Sequence, residues 1–301
     1  YVQKVSPRAC PRVVGRLLDL DADESFIKSL ILMVPTGPLP PVPMEGAPEP
    51  NICRVDELVD EVEKRNRLRM LQSWLEQKVA EGNVEPATHN ALGKIYVTLN
   101  KDPVEFLTNN QFYDPRVLGK YCEKLEPYYA FLAYKRAGGE CDEELLAVTN
   151  DNGLYKDQAR YLVERKDMAL WASVLDDENP HRHDVIEQVT GTALAETKNP
   201  DEVSVTVKAF MEADLPAQLI GLLEKLVLHG GEFADNRNLQ NLLILTAIRC
   251  THAEGAKPER AMDYITRLDN YDGLEIAKIA LKPEYNLCEE AFTIYKKFDH
   301  Q

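Results

Sequence analysis

Long apolar runs are scarce in this sequence of 301 residues. The longest candidate, Ser29 to Val34, stops at a proline-rich stretch and is far shorter than the roughly 20 apolar residues of a membrane-spanning helix. The sequence therefore predicts no membrane span. Its first residues carry no initiator Met and no basic segment followed by an apolar one, so we expect an internal segment of a longer protein.

Paired cysteines and glycosylation sequons are also missing. The six cysteines include no C-x-x-C pair, and no N-x-[ST] sequence occurs. Both absences suit a reducing cytosol, where we expect free thiols buried as small apolar side chains. The cysteines are Cys10, Cys53, Cys122, Cys141, Cys250 and Cys288.

Positive charge is in deficit, with 35 Lys and Arg against 50 Asp and Glu and a net charge of −15. Nucleic acids and anionic membrane surfaces are bound mainly through clustered Lys and Arg. The charge balance therefore argues against both as partners.

Motifs for catalysis, nucleotide binding or metal binding are absent or incomplete. The sequence contains no G-x-G-x-x-G, G-x-x-x-x-G-K-[ST], G-x-S-x-G or H-E-x-x-H. We therefore expect that the chain is not an enzyme and that it has no catalytic residue, cofactor-binding residue or metal site.

Three partial matches lead to the same expectation. Asp19, Asp21 and Asp23 resemble the start of a calcium loop, but Glu24 and Leu30 stand where that loop needs Gly and Glu, so we expect Asp21 or Asp23 to cap a helix instead. His181 and His183 lack further ligands and are read as solvated residues at a helix start. The pair Ser25 and Lys28 has the serine–lysine spacing but none of the accompanying motifs.

Short amphipathic patterns fill the chain from residue 55 onward and indicate an all-α protein. A chain of this length forms either two domains or a repeat array, and the run of short helices favours an α-solenoid of antiparallel helix pairs. The predicted helices are 55–66, 67–81, 86–99, 103–109, 115–125, 127–137, 142–149, 154–166, 168–177, 181–197, 201–213, 216–228, 236–249, 258–268, 273–281 and 286–297.

Helix boundaries follow from capping chemistry. Asp102, Asp114 and Asn199 each precede a proline, which predicts a side-chain cap followed by Pro at the first helical position. Gly138-Gly139 and Gly230-Gly231 are predicted to end helices.

Burial is predicted from the width of each apolar stripe. The helix over 236–249 is apolar around most of its circumference and should be covered on more than one side, whereas the helix over 55–66 has one apolar face. Trp74 and Trp171 are expected in the core.

Two further features concern organisation. Residues 130–136 and 291–297 share A-F-x-x-Y-K-[KR], which indicates either a repeat or a chance match of seven residues. Residues 35–50 hold seven prolines and are expected to form a loop, with docking of the Pro38 to Pro41 segment to a polyproline-binding domain as the alternative.

Several long strings together resemble the clathrin heavy-chain family. They are VDELVDEVEKRNRLRMLQSWLE (55–76), EPATHNALGKIY (85–96), DPRVLGKYCEK (114–124), RYLVERKDMALWASVL (160–175), DEVSVTVKAFMEADLP (201–216), RNLQNLLILTAI (237–248) and RLDNYD (267–272). The resemblance extends over almost the whole chain.

This resemblance implies an internal piece of the leg, from the end of the distal leg through the knee into the start of the proximal leg. The implied fold is a right-handed superhelix of helix pairs. The implied division is the end of a preceding repeat over 1–34, a proline-rich loop over 35–51 that is longer than the family's connection, and leg repeats over 52–301, two consecutive ones of which the last is incomplete.

The resemblance also implies a structural function. The leg would pack against other legs in the polyhedral coat during vesicle formation, endocytosis and intracellular protein transport, on the cytoplasmic face of coated pits and vesicles. Trimerisation, light-chain binding and adaptor binding would lie outside this segment, which we expect to be a monomer when isolated. The alternative is another α-solenoid trafficking scaffold, of the tethering-complex or nucleoporin type.

The net charge suggests a pH dependence for such assembly. Repulsion between acidic legs should weaken as carboxylates and histidines gain protons, so mild acid should favour the lattice. The histidines considered are His89, His181, His183, His229 and His252.

Overall fold

A computed structural model describes residues 6–36, 51–229, 231–252 and 259–298. These residues form α-helices joined by short turns, and the β-structure among them is a single bridge between Thr36 and Cys53. The prediction of an all-α protein is confirmed. None of the described helices is long and apolar enough to cross a membrane.

The chain divides into two compact units, Tyr1–Asn152 and Gly153–Gln301. The helices of the first unit are α1 (Cys10–Asp19), α2 (Glu24–Leu32), α3 (Val55–Glu63), α4 (Gln72–Ala80), α5 (Pro86–Leu99), α6 (Pro103–Asn109), α7 (Pro115–Cys122), α8 (Pro127–Lys135) and α9 (Asp142–Asp151).

The helices of the second unit are α10 (Tyr155–Arg165), α11 (Met168–Val174), α12 (Arg182–Gln188), α13 (Leu194–Glu196), α14 (Pro200–Glu212), α15 (Pro216–Leu228), α16 (Arg237–Arg249), α17 (Glu259–Arg267), α18 (Gly273–Ala280) and α19 (Cys288–Phe298). A π-helical turn, Val189–Ala193, joins α12 to α13 within the single helix that was predicted over 181–197.

Within each unit, helices contact both the next helix and the one after it. In the first unit α5 packs against α3, α4, α6 and α7, and in the second unit α16 packs against α15, α17 and α18. This is the contact pattern of stacked helix pairs. It explains the wide apolar surface of α16, where the buried residues include Leu239, Leu243, Ile244 and Ile248.

The predicted caps agree with the structure, with one exception. The carboxylate of Asp23 accepts a hydrogen bond from the Ser25 amide at the start of α2, and Asp114 and Asn199 cap α7 and α14. The prediction for Asp102 is wrong. Its backbone has φ of 45°, and its side chain makes no capping hydrogen bond.

The burial predictions are confirmed for the aromatic core residues. Trp74 and Trp171 are both buried. Val55, Leu58, Val59 and Val62 form the single buried face of α3.

The expectation that all cysteines are buried is wrong for Cys288. The first four cysteines are free thiols and buried, Cys250 is half-buried, and Cys288 is exposed. The predicted proline-rich loop lies mostly outside the described residues, as does Gly230.

The pair α7–α8 packs closely because Gly119 faces the Tyr134 ring. A Cβ atom at position 119 would lie 2.3–2.7 Å from three ring atoms of Tyr134, which is buried. A Cβ atom at Gly221, inside α15, would meet nothing within 4 Å.

We therefore predict opposite effects of two Gly→Ala substitutions. Gly119→Ala should destabilise the first unit by about 1–3 kcal/mol, because the Tyr134 ring has to move out of a packed site. Gly221→Ala should stabilise the second unit by about 0.5–1 kcal/mol through helix propensity. Urea unfolding followed by circular dichroism measures both, and equal shifts of one sign would contradict the close packing.

Candidate functional site

The first candidate site is the turn over residues 110–114, which joins α6 to α7. His89, near the start of α5, is buried and connects this turn to the one before α5. Its Nε2 lies 2.8 Å from the Asn83 carbonyl oxygen and its Nδ1 lies 2.8 Å from the Asn110 side-chain nitrogen. A carbonyl oxygen only accepts and an amide nitrogen only donates, so His89 is neutral with its proton on Nε2.

The neighbouring residue Asn90 holds the same turn at its other end. Its side-chain oxygen accepts a hydrogen bond of 2.8 Å from the Asp114 amide. Asp114 in turn caps α7 through its carboxylate. The first turn of α5 therefore fixes the point at which α7 begins.

Tyr113 and Arg136 close the turn from the core side. The Tyr113 hydroxyl donates to the Leu107 carbonyl oxygen, 2.6 Å away and six residues earlier in the chain. The Arg136 guanidinium lies 4.0 Å from the centre of the Tyr113 ring and donates to the carbonyl oxygens of Gln111 and Tyr113. We refer to His89, Asn90, Tyr113, Asp114 and Arg136 as the first clamp.

A second clamp with a similar set of contacts lies in the second unit. The Gln240 side chain donates to the Ala234 carbonyl oxygen at 2.8 Å and accepts from the Asn270 amide at 2.9 Å. Asn241 accepts from the Asp272 amide at 2.7 Å. The second clamp consists of Gln240, Asn241, Tyr271, Asp272 and Lys297.

Its aromatic side matches the first clamp as well. The Tyr271 hydroxyl donates to the Ile265 carbonyl oxygen, again six residues earlier. Lys297 lies 5.7 Å from the Tyr271 ring centre and donates to three backbone carbonyl oxygens, those of Ile265, Thr266 and Leu268. Each position of the first clamp thus has a counterpart in the second.

The clamps show what one position of the repeated sequence A-F-x-x-Y-K-[KR] does in the structure. Its last residue is Arg136 in one copy and Lys297 in the other, and both contact the clamp tyrosine. The Phe position differs between the two copies, since Phe131 is buried whereas Phe292 is 69% exposed. The two copies of the repeat therefore share the contact made by their last, cationic residue but not the burial of their phenylalanine ring.

The same turns display different surfaces in the two units. Val84 and Phe112 are exposed beside the first clamp, and the Phe112 ring centre lies 5.0 Å from that of His89. In the second unit Asp235 and Asn270 occupy the corresponding turns, where the Asn270 amide group donates to the Asp235 carbonyl oxygen at 2.6 Å.

The residues of the partial metal and catalytic motifs do not converge. Asp19 pairs with Arg65 at 2.7 Å, and this partner lowers the pKa of the Asp19 carboxyl. Ser25 donates to Asp23 at 2.6 Å, whereas Lys28 pairs with Glu24 at 2.8 Å.

The histidine pair is separated in the same way. His181 Nδ1 lies 3.0 Å from the Tyr155 hydroxyl, while His183 is exposed. The described residues contain no group of three His, Cys, Asp or Glu side chains that could hold a metal ion.

Two grooves are lined by charges that already pair with each other. One, of about 520 Å³, includes Arg160 and Glu196, joined at 2.8 and 2.9 Å. The other, of about 280 Å³, includes Lys94 and Glu63, joined at 2.6 and 2.8 Å. Neither lining includes a Cys, His or Ser, so these two grooves offer no nucleophile with an adjacent imidazole base.

Sequence reasoning missed the clamps, although a signal was present. The pairs His89-Asn90 and Gln240-Asn241 stand in the first turn of α5 and α16, and Tyr-Asp occurs at 113–114 and 271–272 just before α7 and α18. Aligning the two halves on these dipeptides identifies the clamp positions.

We predict that the first unit loses stability in mild acid because of His89. Burial lowers the pKa of its imidazole, so the folded state favours the neutral ring. The stabilisation is complete above the unfolded pKa of about 6.5 and is lost as the pH falls through it, by at most about 1.4 kcal/mol per pH unit.

His89→Gln tests this prediction with the residue that the second clamp already uses. The variant should unfold with a weaker dependence on pH between 7.5 and 5.5, as measured by thermal melts. His183→Gln, at an exposed site, is the matched control and should leave the slope unchanged. An identical slope in His89→Gln would contradict the buried neutral imidazole.

We predict that Arg136→Met destabilises the first unit by about 1–3 kcal/mol, because the Gln111 and Tyr113 carbonyl oxygens lose a charged donor. Arg136→Lys should recover part of the loss, since Lys297 serves the second clamp. Chemical unfolding measures both variants. Lys208→Met, which removes a 3.6 Å exposed pair, is the control, and equal losses in Arg136→Met and the control would contradict the assignment.

Comparison with known proteins agrees with the repeated architecture. A family model described as a region in clathrin and VPS matches residues 50–185 and 194–301. The chain is 56% identical over 298 residues to a clathrin heavy chain of Dictyostelium discoideum, 55% over 299 residues to one of Drosophila melanogaster, and 54% over 299 residues to clathrin heavy chain 2 of Homo sapiens.

Each of these alignments covers 99% of the chain but only 16–17% of the relative. The chain therefore spans about a sixth of the length of the relatives that it matches. Family membership rests on identity along the whole of the chain and on two matches to the family model. The chain belongs to the clathrin heavy-chain family.

Proposed function

We propose that this chain is a structural segment of a clathrin coat, with no catalytic function. In this proposal it is a rigid length of leg that packs beside the legs of other heavy chains in the polyhedral lattice of coated pits and vesicles. It acts at the cytoplasmic face of membranes during endocytosis and intracellular transport. Trimerisation and the binding of light chains and adaptors belong to other parts of the parent molecule.

The observation that carries the proposal is the repeated clamp in a chain of this family. A lattice leg has to keep its many short helices in fixed relative positions, and a turn that can shift would let neighbouring helices move. The clamps join the first turn of α5 to the start of α7, and that of α16 to the start of α18. They therefore supply the rigidity that a leg needs at two equivalent places.

We further propose the division of the chain that the family resemblance implies, namely 1–34 as the end of a repeat, 35–51 as a connecting loop and 52–301 as leg repeats. The isolated segment is proposed to be a monomer, since lattice contacts are individually weak and act together.

One histidine can be excluded from the groups that would make assembly depend on pH. His89 is buried and neutral, so it cannot take up a proton in mild acid without destabilising its own unit. The effect is left to surface carboxylates and to exposed histidines such as His183 and His229.

The names of the relatives favour a clathrin coat over the alternative of a tethering or nucleoporin-type scaffold. The two charged grooves described above give no support to an enzyme.

Cage assembly by the full-length heavy chain tests the proposal. We predict that Asn90→Ala combined with Asn241→Ala leaves trimers intact but reduces the yield of closed cages and broadens their size, because both clamps lose a turn contact. Sedimentation and electron microscopy measure the result, and Lys208→Met is the control. Cages of unchanged yield and size, with both turns shown to be loosened, would contradict a role for clamp rigidity in assembly.

A further inference from the structure

One of the two grooves described above presents an arginine without a partner among the described residues. This groove, of about 280 Å³, is lined by residues of α5, by Tyr121 of α7 and by residues that follow the end of α3. Its apolar lining consists of Leu68, Ile95 and Leu99, and the exposed Arg69 lies beside them. We refer to it as the Arg69 groove.

Most of the polar groups in the Arg69 groove are already paired. The Lys94 Nζ donates to both carboxylate oxygens of Glu63, at 2.6 and 2.8 Å, and lies 5.5 Å from the centre of the Tyr121 ring. The Tyr121 hydroxyl lies 2.8 Å from the Thr98 hydroxyl. The charges of Lys94 and Glu63 therefore cancel, and the side chains around them are held in place.

The polar side chains of the groove that remain are those of Arg69 and Asn66, and both residues are exposed. Within the described ranges, no residue forms an ion pair or a hydrogen bond with either side chain. Because Lys94 and Glu63 cancel, the guanidinium of Arg69 gives the groove one net positive charge. An acidic chain thus carries a cationic groove with free hydrogen-bond donors.

These two groups are suited to bind a carboxylate. A guanidinium presents parallel N–H donors that match the two oxygens of a carboxylate, and the Asn66 amide group adds a neutral donor. A phosphate group, with its higher negative charge, would find only one unpaired cation here. The apolar lining beside Arg69 offers contact to an uncharged side chain. The ligand that fits is therefore an acidic peptide segment, with an apolar residue next to an Asp or Glu.

The charge of the chain indicates where such a segment comes from. The chain has 50 Asp and Glu against 35 Lys and Arg, and charged side chains lie mostly on the surface, so a second copy presents many carboxylates. Complementary charge brings partners together and disfavours wrong ones. In the proposed function other copies of the chain lie alongside this one, which makes a second copy the acidic partner that the groove meets most often.

We propose that the Arg69 groove is a contact between legs, in which Arg69 and Asn66 bind an Asp or Glu of a second copy and the apolar lining receives the side chain beside it. This inference rests on the proposed function and identifies one of its leg contacts. A groove of this size buries far less surface than a stable complex needs, so the contact is weak and acts only together with many others. The isolated segment therefore stays a monomer.

Zero-length cross-linking of assembled cages tests this contact. Arg69→Lys keeps the positive charge and places an amine in the groove, and a carbodiimide joins amines to the carboxylates that they touch. Full-length trimers of this variant, half of them labelled with heavy nitrogen, are mixed and assembled, and the cross-linked peptides are identified by mass spectrometry. A link between Lys94 and Glu63 within one chain shows that the reagent reaches the groove.

We expect a cross-link from position 69 to an Asp or Glu of another copy, recognised because one peptide is labelled and the other is not. It should disappear when the cages are dissociated before cross-linking. Cages in which other lysines give mixed-label links, while position 69 gives links only within its own chain, would overturn the inference. So would a mixed-label link that is equally abundant in dissociated trimers. If the unmodified protein forms no cages, the proposed function fails, and this inference fails with it.

Charge reversal provides a second measurement on the same groove. Arg69→Glu should raise the heavy-chain concentration needed for half-maximal cage yield by about two- to fivefold, as expected for the loss of one exposed ion pair. Arg12→Glu is the matched control, because Arg12 is an exposed arginine of α1 that also has no partner among the described residues but lines neither groove.

Thermal melts should show unchanged stability for both variants, since neither side chain makes an ion pair within the described part of the chain. Equal effects of the two reversals on cage yield would show a response to net charge alone and would overturn the inference.

Discussion

The structure depends on how backbone groups are satisfied where one short helix ends and the next begins. Its helices are short, with 7 residues in α6 and 14 in α5, and helices of this length are marginal in water without packing. Packing stabilises them, but an apolar stripe does not by itself fix where one helix lies along its neighbour. The clamps fix that position, because one joins α5 to the start of α7 and the other joins α16 to the start of α18.

Each clamp is a small hydrogen-bond network, and it stabilises its turn by giving backbone groups of that turn a partner. A single net hydrogen bond contributes about 1 kcal/mol, whereas a buried polar group left without a partner costs about 1–3 kcal/mol. The Asn270 amide, the Asp272 amide and the carbonyl oxygens around Lys297 are all paired in the second clamp. The turn therefore has one favourable arrangement.

The two clamps hold corresponding turns with different side chains, and this makes the units chemically distinct. A histidine in one place and a glutamine in the other both bridge two turns, but only the histidine has a titratable ring, and burial lowers its pKa. Arginine and lysine both bond to backbone carbonyls, but the planar guanidinium also stacks on Tyr113. The surface beside the clamps differs as well. The first unit exposes Val84 and Phe112 where the second unit has Asp235 and Asn270.

Local chemistry explains which features could be read from the sequence. Asp23, Asp114 and Asn199 were predictable as caps because their side chains act on amides two or three residues away. Asp102 was not, because its backbone is in a left-handed conformation and its side chain makes no capping hydrogen bond. Pattern likewise could not show that Phe292 is exposed while Phe131 is buried, since both follow an alanine in the same motif.

The clamp itself needed the structure for a similar reason. The members of the first clamp come from α5, from the end of α8 and from the turn between α6 and α7, and Asn90 and Asp114 are 24 residues apart. No local periodicity connects them, although each dipeptide is visible once the two halves are compared. The family resemblance covered the strings that contain Asn90 and Asp114 without assigning these residues a function.

Hydrogen exchange at the backbone amides of Asp114 and Asp272 measures whether the clamps hold the two turns, since each amide donates to a side chain of its clamp. We expect both amides to be protected in the unmodified chain. Asn90→Ala should speed exchange at Asp114 by about tenfold or more without affecting Asp272, and Asn241→Ala should do the reverse. Exchange of both amides at the rate of an unprotected chain, or rates unchanged by the two substitutions, would contradict the role of the clamps in holding the turns.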